Sequence, residues 1–302
     1  MGQINRKNLE STVITAQVDG VRKSIYSSVL TGLTPSKLGN LIKDAKNGKV
    51  EAYLSLAEEM EERDAQYRTV LNTRKLQIIS TPYIIKTVDN QDKSVQKIQA
   101  FIENITSTPQ FKKMLFHLLD GLGKGFSVVE INYEYNEKEK LLYPSTYSYK
   151  PQAWFTFKGD ELVLKTGENG ETKELESIKV IRHIPQLKSG IPIRGGLAFA
   201  VASIFILKNY GVKDWGAMVE VFGMPLRLGK YDQSMSDETN KEELMRAVSS
   251  IGTDYAAIIP EGMSIDFING NTSTNGDLYQ KYITYLDEQI SKMVLGQTMT
   301  MG

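Results

Sequence analysis

The chain has 302 residues, 41% of them hydrophobic, enough to bury a core and to divide into two or three domains. Lysine plus arginine and aspartate plus glutamate each number 36, so there is no net positive charge to wrap nucleic acid tightly by counterion release. Cysteine is absent, which excludes disulfides, thiolate catalysis, Cys-ligated zinc and iron–sulfur clusters.

Residues 1–30 scatter Val and Ile among polar residues without a sustained period and are expected to form an extended N-terminal arm. The first 26 residues hold no apolar core segment, so no secretory signal is expected. Thr34 can cap a helix, Pro35 suits its first position, and Leu38, Leu41 and Ile42 supply a buried stripe that Asn47-Gly48 ends. Two amphipathic helices then divide residues 50–80: Tyr53, Leu54, Leu56, Ala57 and Met60 mark the first, Tyr67, Val70, Leu71 and Ile78 the second, with Asp64 as the cap between them. The acidic run Glu58, Glu59, Glu61, Glu62 reads as a solvated face rather than a cation site.

Thr81-Pro82 stops the second helix, and residues 83–88 read as a strand. Helices over about 94–105 and 108–121 follow. His117 and His183, the only histidines, each sit in an apolar run, where packing is the expected role rather than metal binding. Asp120-Gly121-Leu122-Gly123-Lys124-Gly125-Phe126-Ser127 invites a phosphate-loop reading that fails on spacing, because Gly125 stands where Ser or Thr must follow the lysine. Residues 126–135, 154–157, 161–166 and 179–184 are rich in β-branched and aromatic residues, with turns at Gly159-Asp160 and Glu168-Asn169-Gly170. They predict a small antiparallel sheet packed on helices, an α+β domain over residues 31–190.

After Arg194-Gly195-Gly196, read as a hinge or as an anion site at a helix start, residues 197–222 have helical spacing and would make a rod of roughly 40 Å. Gly211 and Gly216 lie inside it and allow a kink. The longest apolar run, 197–207, falls short of the roughly 20 residues that span a bilayer, so no membrane span is expected. Met224-Pro225 ends the rod. A strand at 226–230, a helix from Ser236-Asp237-Glu238 with the face Leu244, Met245, Val248 and Ile251, and strands at 255–259 and 263–268 form a strand–helix–hairpin module. A polar loop, 269–276, leads to a last helix over 277–295 with Ile283, Leu286, Ile290, Met293 and Val294 on one side. Lys281, Tyr285, Glu288 and Lys292 recur at steps of four, three and four and share the opposite side, which is a solvated face or, if the helix lines a channel, the face turned to its lumen. Two long helices bracketing a small module give a stalk with a head at its tip. No Gly-x-Ser-x-Gly elbow occurs, and Asp44-Ala45-Lys46 stands on a helix without partner carboxylates, so no catalytic residue, metal or cofactor is expected.

Several pieces together resemble the Mu-type family of tailed-phage portal proteins, from about residue 30 to the end: Thr34-Pro35-Ser36-Lys37-Leu38, the helix of residues 64–75, Arg194-Gly195-Gly196-Leu197, Lys213-Asp214-Trp215, Phe222-Gly223-Met224-Pro225 with its flanks, and Ile290-Ser291-Lys292-Met293-Val294-Leu295-Gly296-Gln297-Thr298. The resemblance implies an α+β portal fold: an arm (1–30), an α/β wing (31–190), a first stem helix (191–223), a small α/β clip (224–270), a second stem helix (271–296) and the start of a tunnel loop (297–302). The family pattern continues into further wing and a helical crown, so the crown is expected to be absent here. It further implies a non-enzymatic homo-oligomeric ring, typically of twelve copies, at one capsid vertex of the virion, assembled in the host cytoplasm beside major capsid or scaffold protein. Double-stranded DNA would pass through without sequence recognition. Lys281, Tyr285, Glu288 and Lys292 would line the channel, and Arg227, Lys230, Glu242, Glu243 and Arg246 would offer the clip surface to the terminase large subunit and later to head–tail connector proteins. Gly195, Gly196, Gly223 and Pro225 would be hinges. The competing reading is a structural adaptor of a phage head or tail with the same stalk and head but no pore.

Overall fold

A computed structural model describes residues 9–14, 32–87, 92–159, 161–166, 171–222, 226–231, 237–250, 263–268 and 272–297, and the chain divides into two units, Met1–Ile206 with Asp287–Gly302, and Leu207–Leu286. In the first unit the helix ends follow from short-range chemistry. The Thr34 hydroxyl accepts the Lys37 amide N–H at 3.2 Å and opens α1 (Pro35–Lys46), which runs out at Gly48 with a left-handed φ of 91°. Asp64 closes α2 (Glu51–Arg63) by donating its amide to Met60 O, and opens α3 (Ala65–Ser80) by accepting the Tyr67 N–H at 2.8 Å. Tyr53, Leu54, Leu56, Ala57 and Met60 of α2 and Tyr67, Val70 and Leu71 of α3 are each no more than 3% exposed and form the helical core. Ile78, expected among them, is 46% exposed.

The strand expected over 83–88 does not form. Residues 82–87 carry no strand pairing, Ile84 is 81% exposed, and Val88 lies outside the described residues. Propensity describes fit to a pleated surface, and without a neighbouring ladder it makes no strand.

The helices α4 (Lys93–Thr106), α5 (Pro109–Leu119) and the short α6 (Gly121–Lys124) precede β1 (Ser127–Asn136). Instead of one small sheet, the described residues of this unit form two, each three-stranded and antiparallel. Strand β1 is flanked by β2 (Leu141–Lys150) and β6 (Val180–His183), while β3 (Phe155–Lys158), β4 (Glu161–Lys165) and β5 (Thr172–Lys173) pair in sequence order. β2 runs beside β1 from Lys150 opposite Val128 to Leu141 opposite Asn136, and its register slips where Pro144 stands opposite Tyr133. As an edge strand it tolerates a residue that donates no amide. Against the other side of this sheet, α5 offers Leu118 O, which accepts from the Ser127 hydroxyl at 2.5 Å and lies 2.6 Å from His183 Nδ1. His117 tilts against the Tyr149 ring, 5.6 Å between centroids, and its pKa is lowered by partial burial and the charge of Lys113.

A 3₁₀ turn, Pro192–Gly195, leads into α7 (Leu197–Phe222), whose 26 residues span about 39 Å. Its first turns belong to the first unit, where Ala198, Val201, Ala202, Phe205 and Ile206 are buried. The second unit holds β7 (Leu226–Tyr231), α8 (Glu238–Ser250), β8 (Met263–Ile268) and the early turns of α9 (Thr272–Leu295). β7 pairs antiparallel with β8, Leu226 opposite Ile268 through Tyr231 opposite Met263; the expected strand at 255–259 and Ile251 lie outside the described residues. Asp237 accepts the Asn240 N–H at 2.8 Å and opens α8, which sets Leu244 and Val248 against Gly229 so closely that a Cβ there would lie 3.0 Å from Leu244. Met245, expected on that face, is 67% exposed, because the pair four residues apart takes the sheet side. α9 begins at Thr272 rather than 277, so most of the expected polar loop is helical. Gly211 of α7 meets Tyr282 of α9, whose ring carbons would lie 3.2 Å from an added Cβ; close approach rather than a kink is what this glycine serves. Among the described residues no helix is long and apolar enough to cross a membrane.

Candidate functional site

The four residues expected on one side of the last helix, Lys281, Tyr285, Glu288 and Lys292, are all exposed on α9. Leu286, Ile290 and Val294, at most 3% exposed, occupy the other side, and Met293, expected with them, is 45% exposed. Within the first unit the end of α9 is held by α3. Gln66 donates to the Ser291 hydroxyl at 2.7 Å, and the Arg74 guanidinium donates to Val294 O at 2.6 Å, where a cation also meets the negative end of the helix. With Ile290, Ser291 and Val294 turned inward, Glu288 and Lys292 are left facing out. Both long helices also expose apolar side chains: Leu207, Val212 and Val219 on α7 are 44%, 49% and 56% exposed, and Leu278 on α9 is 67% exposed.

In the second unit the charges expected to dock partners form local pairs. Lys230 on β7 lies 2.5 Å from Asp266 on β8, and Arg246 lies 3.8 Å from Glu242 one turn away on α8, with Glu243 exposed beside them. Exposed pairs of this kind contribute little stability and leave a surface of mixed charge. The Arg227 side chain lies outside the described residues, as do Gly223 and Pro225.

Gly195 and Gly196, expected as a hinge, are buried where α7 begins. A Cβ on Gly196 would lie 2.7 Å from Gly123 O, from the Lys124 carbonyl carbon and from the Tyr53 hydroxyl, and one on Gly195 would lie 3.1 Å from Pro185 O. Close backbone packing therefore demands glycine here. Directly beneath is a buried charge cluster that sequence reasoning missed. Lys124, 3% exposed, donates at 2.6 Å to both Glu58 and Asp120; Lys75, 1% exposed, donates to Glu61 at 2.8 Å and lies 3.4 Å from Asp120. Asp120 also accepts from Gln152 at 2.7 Å and from the Tyr149 hydroxyl at 3.2 Å. Burial pushes the Asp120 carboxyl up, but the Lys124 and Lys75 ammonium groups and the hydrogen bonds from Lys124 and Gln152 outweigh it and hold the pKa at about 2. Burial raises Glu58 above the usual carboxylate range, and Lys124 offsets this only in part.

This cluster bears on two expectations. The acidic run is not simply a solvated face, since Glu58 and Glu61 each pair with a buried lysine and Glu59 is 7% exposed. Lys124, enclosed by two carboxylates, is not offered to a phosphate. Asp120 and Lys124 stand four residues apart, but the other lysine–carboxylate partners lie 14 to 66 residues apart in sequence, so no local motif marks the cluster. Among the described residues no group of three or more His, Asp or Glu is arranged to hold a metal ion.

Over residues 54–302 the chain matches the family model described as the portal protein of Mu bacteriophage. It is 32% identical over 277 residues to the Mu-like prophage FluMu protein gp29 of Haemophilus influenzae, covering 89% of this chain and 52% of that protein. It is 30% identical over 286 residues to the portal protein of Escherichia phage Mu, covering 93% of this chain and 54% of that protein. The chain thus spans about half the length of the curated relatives it matches. In the solved virion of a native gene transfer agent particle, one chain shares the fold with a TM-score of 0.50 at 10% identity, over 79% of this chain and 67% of that one.

Proposed function

Since the chain belongs to the family of Mu bacteriophage portal proteins, we propose that it is a subunit of a closed ring at one capsid vertex, through which double-stranded DNA enters in packaging and leaves in ejection. The observation that carries the ring is the apolar exposure of both long helices. Leu207, Val212 and Val219 on α7 and Leu278 on α9 remain uncovered in the single chain, and rotational symmetry brings a neighbour to cover them. Twelve copies is the number the family resemblance implies. In such a ring the stripe Lys281, Tyr285, Glu288, Lys292 faces the lumen. Two lysines and one glutamate per subunit give a weak and interrupted field, and DNA slides past it because tight, salt-sensitive retention needs several uncompensated cations.

The unit built from β7, α8 and β8 then serves as the clip. Its mixed surface of Lys230, Glu242, Glu243 and Arg246 suits partners exchanged in succession, first the terminase large subunit and later head–tail connector proteins, since rim charges steer association more than they hold it. Residues of the first unit would face major capsid or scaffold protein. The role is structural and needs no catalytic group. Negative-stain imaging of the purified protein tests the reading: rings with a central hole wide enough for a duplex are expected, whereas solitary particles or solid discs at high concentration would replace it with a non-conducting adaptor.

A further inference from the structure

Residues 9–14 were expected as part of an extended arm; Leu9 and Glu10 are instead helical, and the segment is held by three buried charges. Glu130, fully buried on β1, accepts the Val13 and Ile14 amide N–H groups at 2.6 and 3.2 Å through one oxygen and lies 2.8 Å from Lys150 through the other. Lys150, the last residue of β2 and 7% exposed, also donates to Ile14 O at 2.8 Å. Lys179, 1% exposed just before β6, donates to Leu9 O at 2.6 Å and Ser11 O at 2.7 Å. Each of these bonds to the segment ends on a main-chain atom. Leu9 and Ile14, 4% and 3% exposed, anchor its two ends, and Leu164 and Leu175 border it from the side of the second sheet.

We propose that Glu130, Lys150 and Lys179 form a receptor for the main chain of a short segment that leaves a helical turn, with a buried apolar side chain at each end, which in this protein is filled by its own segment Leu9–Ile14, helical at Leu9 and Glu10 and without regular structure from Thr12 to Ile14. The chemistry specifies the ligand. A carboxylate placed for two successive amides and two ammonium groups placed for three carbonyls match main-chain atoms. Buried charges left without these partners would be costly, so the empty receptor has strong affinity for a segment that supplies them in the same arrangement. The neighbouring sheets do not hold the segment by strand pairing, which separates this mode from edge-strand addition.

The natural absence of cysteine leaves labelling chemistry free, but the decisive probe is a proline. Val13→Pro removes the amide that Glu130 accepts, while Val13→Ala keeps it. A fluorescein-labelled Leu-Glu-Ser-Thr-Val-Ile amide is expected to bind the full Val13→Pro chain at least about tenfold more tightly than the wild-type or Val13→Ala chain, whose receptors are filled, the loss of one charge-assisted bond being worth about that factor. Adding Glu130→Leu to Val13→Pro should abolish binding. Equal binding to wild type and Val13→Pro, or none to either, would overturn the proposal. Should the proline variant fail to fold, hydrogen exchange on the wild-type chain decides: Val13 and Ile14 amides must be protected like those of β1, and exchange at unstructured-chain rates would sink the receptor.

Discussion

Asp120 takes hydrogen bonds from Lys124, Gln152 and Tyr149 while Lys75 stands 3.4 Å away, and that crowd of donors keeps it ionised under conditions where other carboxylates take up a proton. Its folded pKa of about 2 lies below the unfolded value of about 3.9, so the stability it contributes is complete above about pH 4 and is lost as the pH falls towards 2. The shift corresponds to a few kcal/mol, on the order of one to three. Glu58 works in the opposite sense: burial raises its pKa, so its contribution favours the fold in acid and fades as the pH rises through the folded value. Asp120→Asn is therefore expected to lose stability less steeply than wild type between about pH 4 and pH 2 in urea unfolding at stepped pH; an unchanged slope would assign the acid sensitivity to another carboxylate. Single residues were legible from sequence where their chemistry is local. Thr34, Asp64 and Asp237 cap helices because the amides they accept lie three residues on. Lys75 and Lys124 were not legible, since nothing in the sequence around a lysine says that folding will bury it beside an acid up to 66 residues away.

At the scale of elements, helices were read more faithfully than strands. α7 and α9 announce themselves by sustained spacing over five turns or more, whereas β2, with Pro144 and several Ser and Thr, has no clean alternation and exists because β1 supplies its ladder. Residues 82–87 make the converse case, having the composition of a strand but no strand pairing among the described residues. Glycines in helices likewise mean different things according to what lies opposite. At the start of α7, Gly196→Ala would drive a Cβ to 2.7 Å from Gly123 O, the Lys124 carbonyl carbon and the Tyr53 hydroxyl, and the two backbone atoms leave little room to yield. A loss of about 1–3 kcal/mol is expected, seen as a lower thermal midpoint. Gly216, nineteen residues into the same helix, has nothing within 4 Å of an added Cβ, and Gly216→Ala should raise stability by up to about 1 kcal/mol in the isolated chain through helix propensity alone, seen as a higher thermal midpoint. If both substitutions destabilised equally, packing at the start of α7 would not be what Gly196 serves.

For the whole molecule the decisive question is which way the exposed stripe of α9 faces once subunits assemble. Lys281, Glu288 and Lys292 sum to one positive charge per subunit, and Glu288→Lys raises that to three without touching Leu286, Ile290 or Val294, the residues that seat the helix. On a lumen wall the added cations from every copy would converge on the same stretch of duplex. DNA retention should then become strong at low salt and fall steeply as salt rises, with a logarithmic slope growing by about 0.9 for each phosphate newly neutralised. On an outer wall the same charges would be dispersed around the perimeter, where a threaded duplex never meets them. Purified rings of the Glu288→Lys variant, loaded with linear DNA and challenged across a salt series, are expected to release it only at high salt, while wild-type rings release it throughout. A variant that lets DNA go as readily as wild type would turn the stripe outward and leave another part of the ring to line the channel.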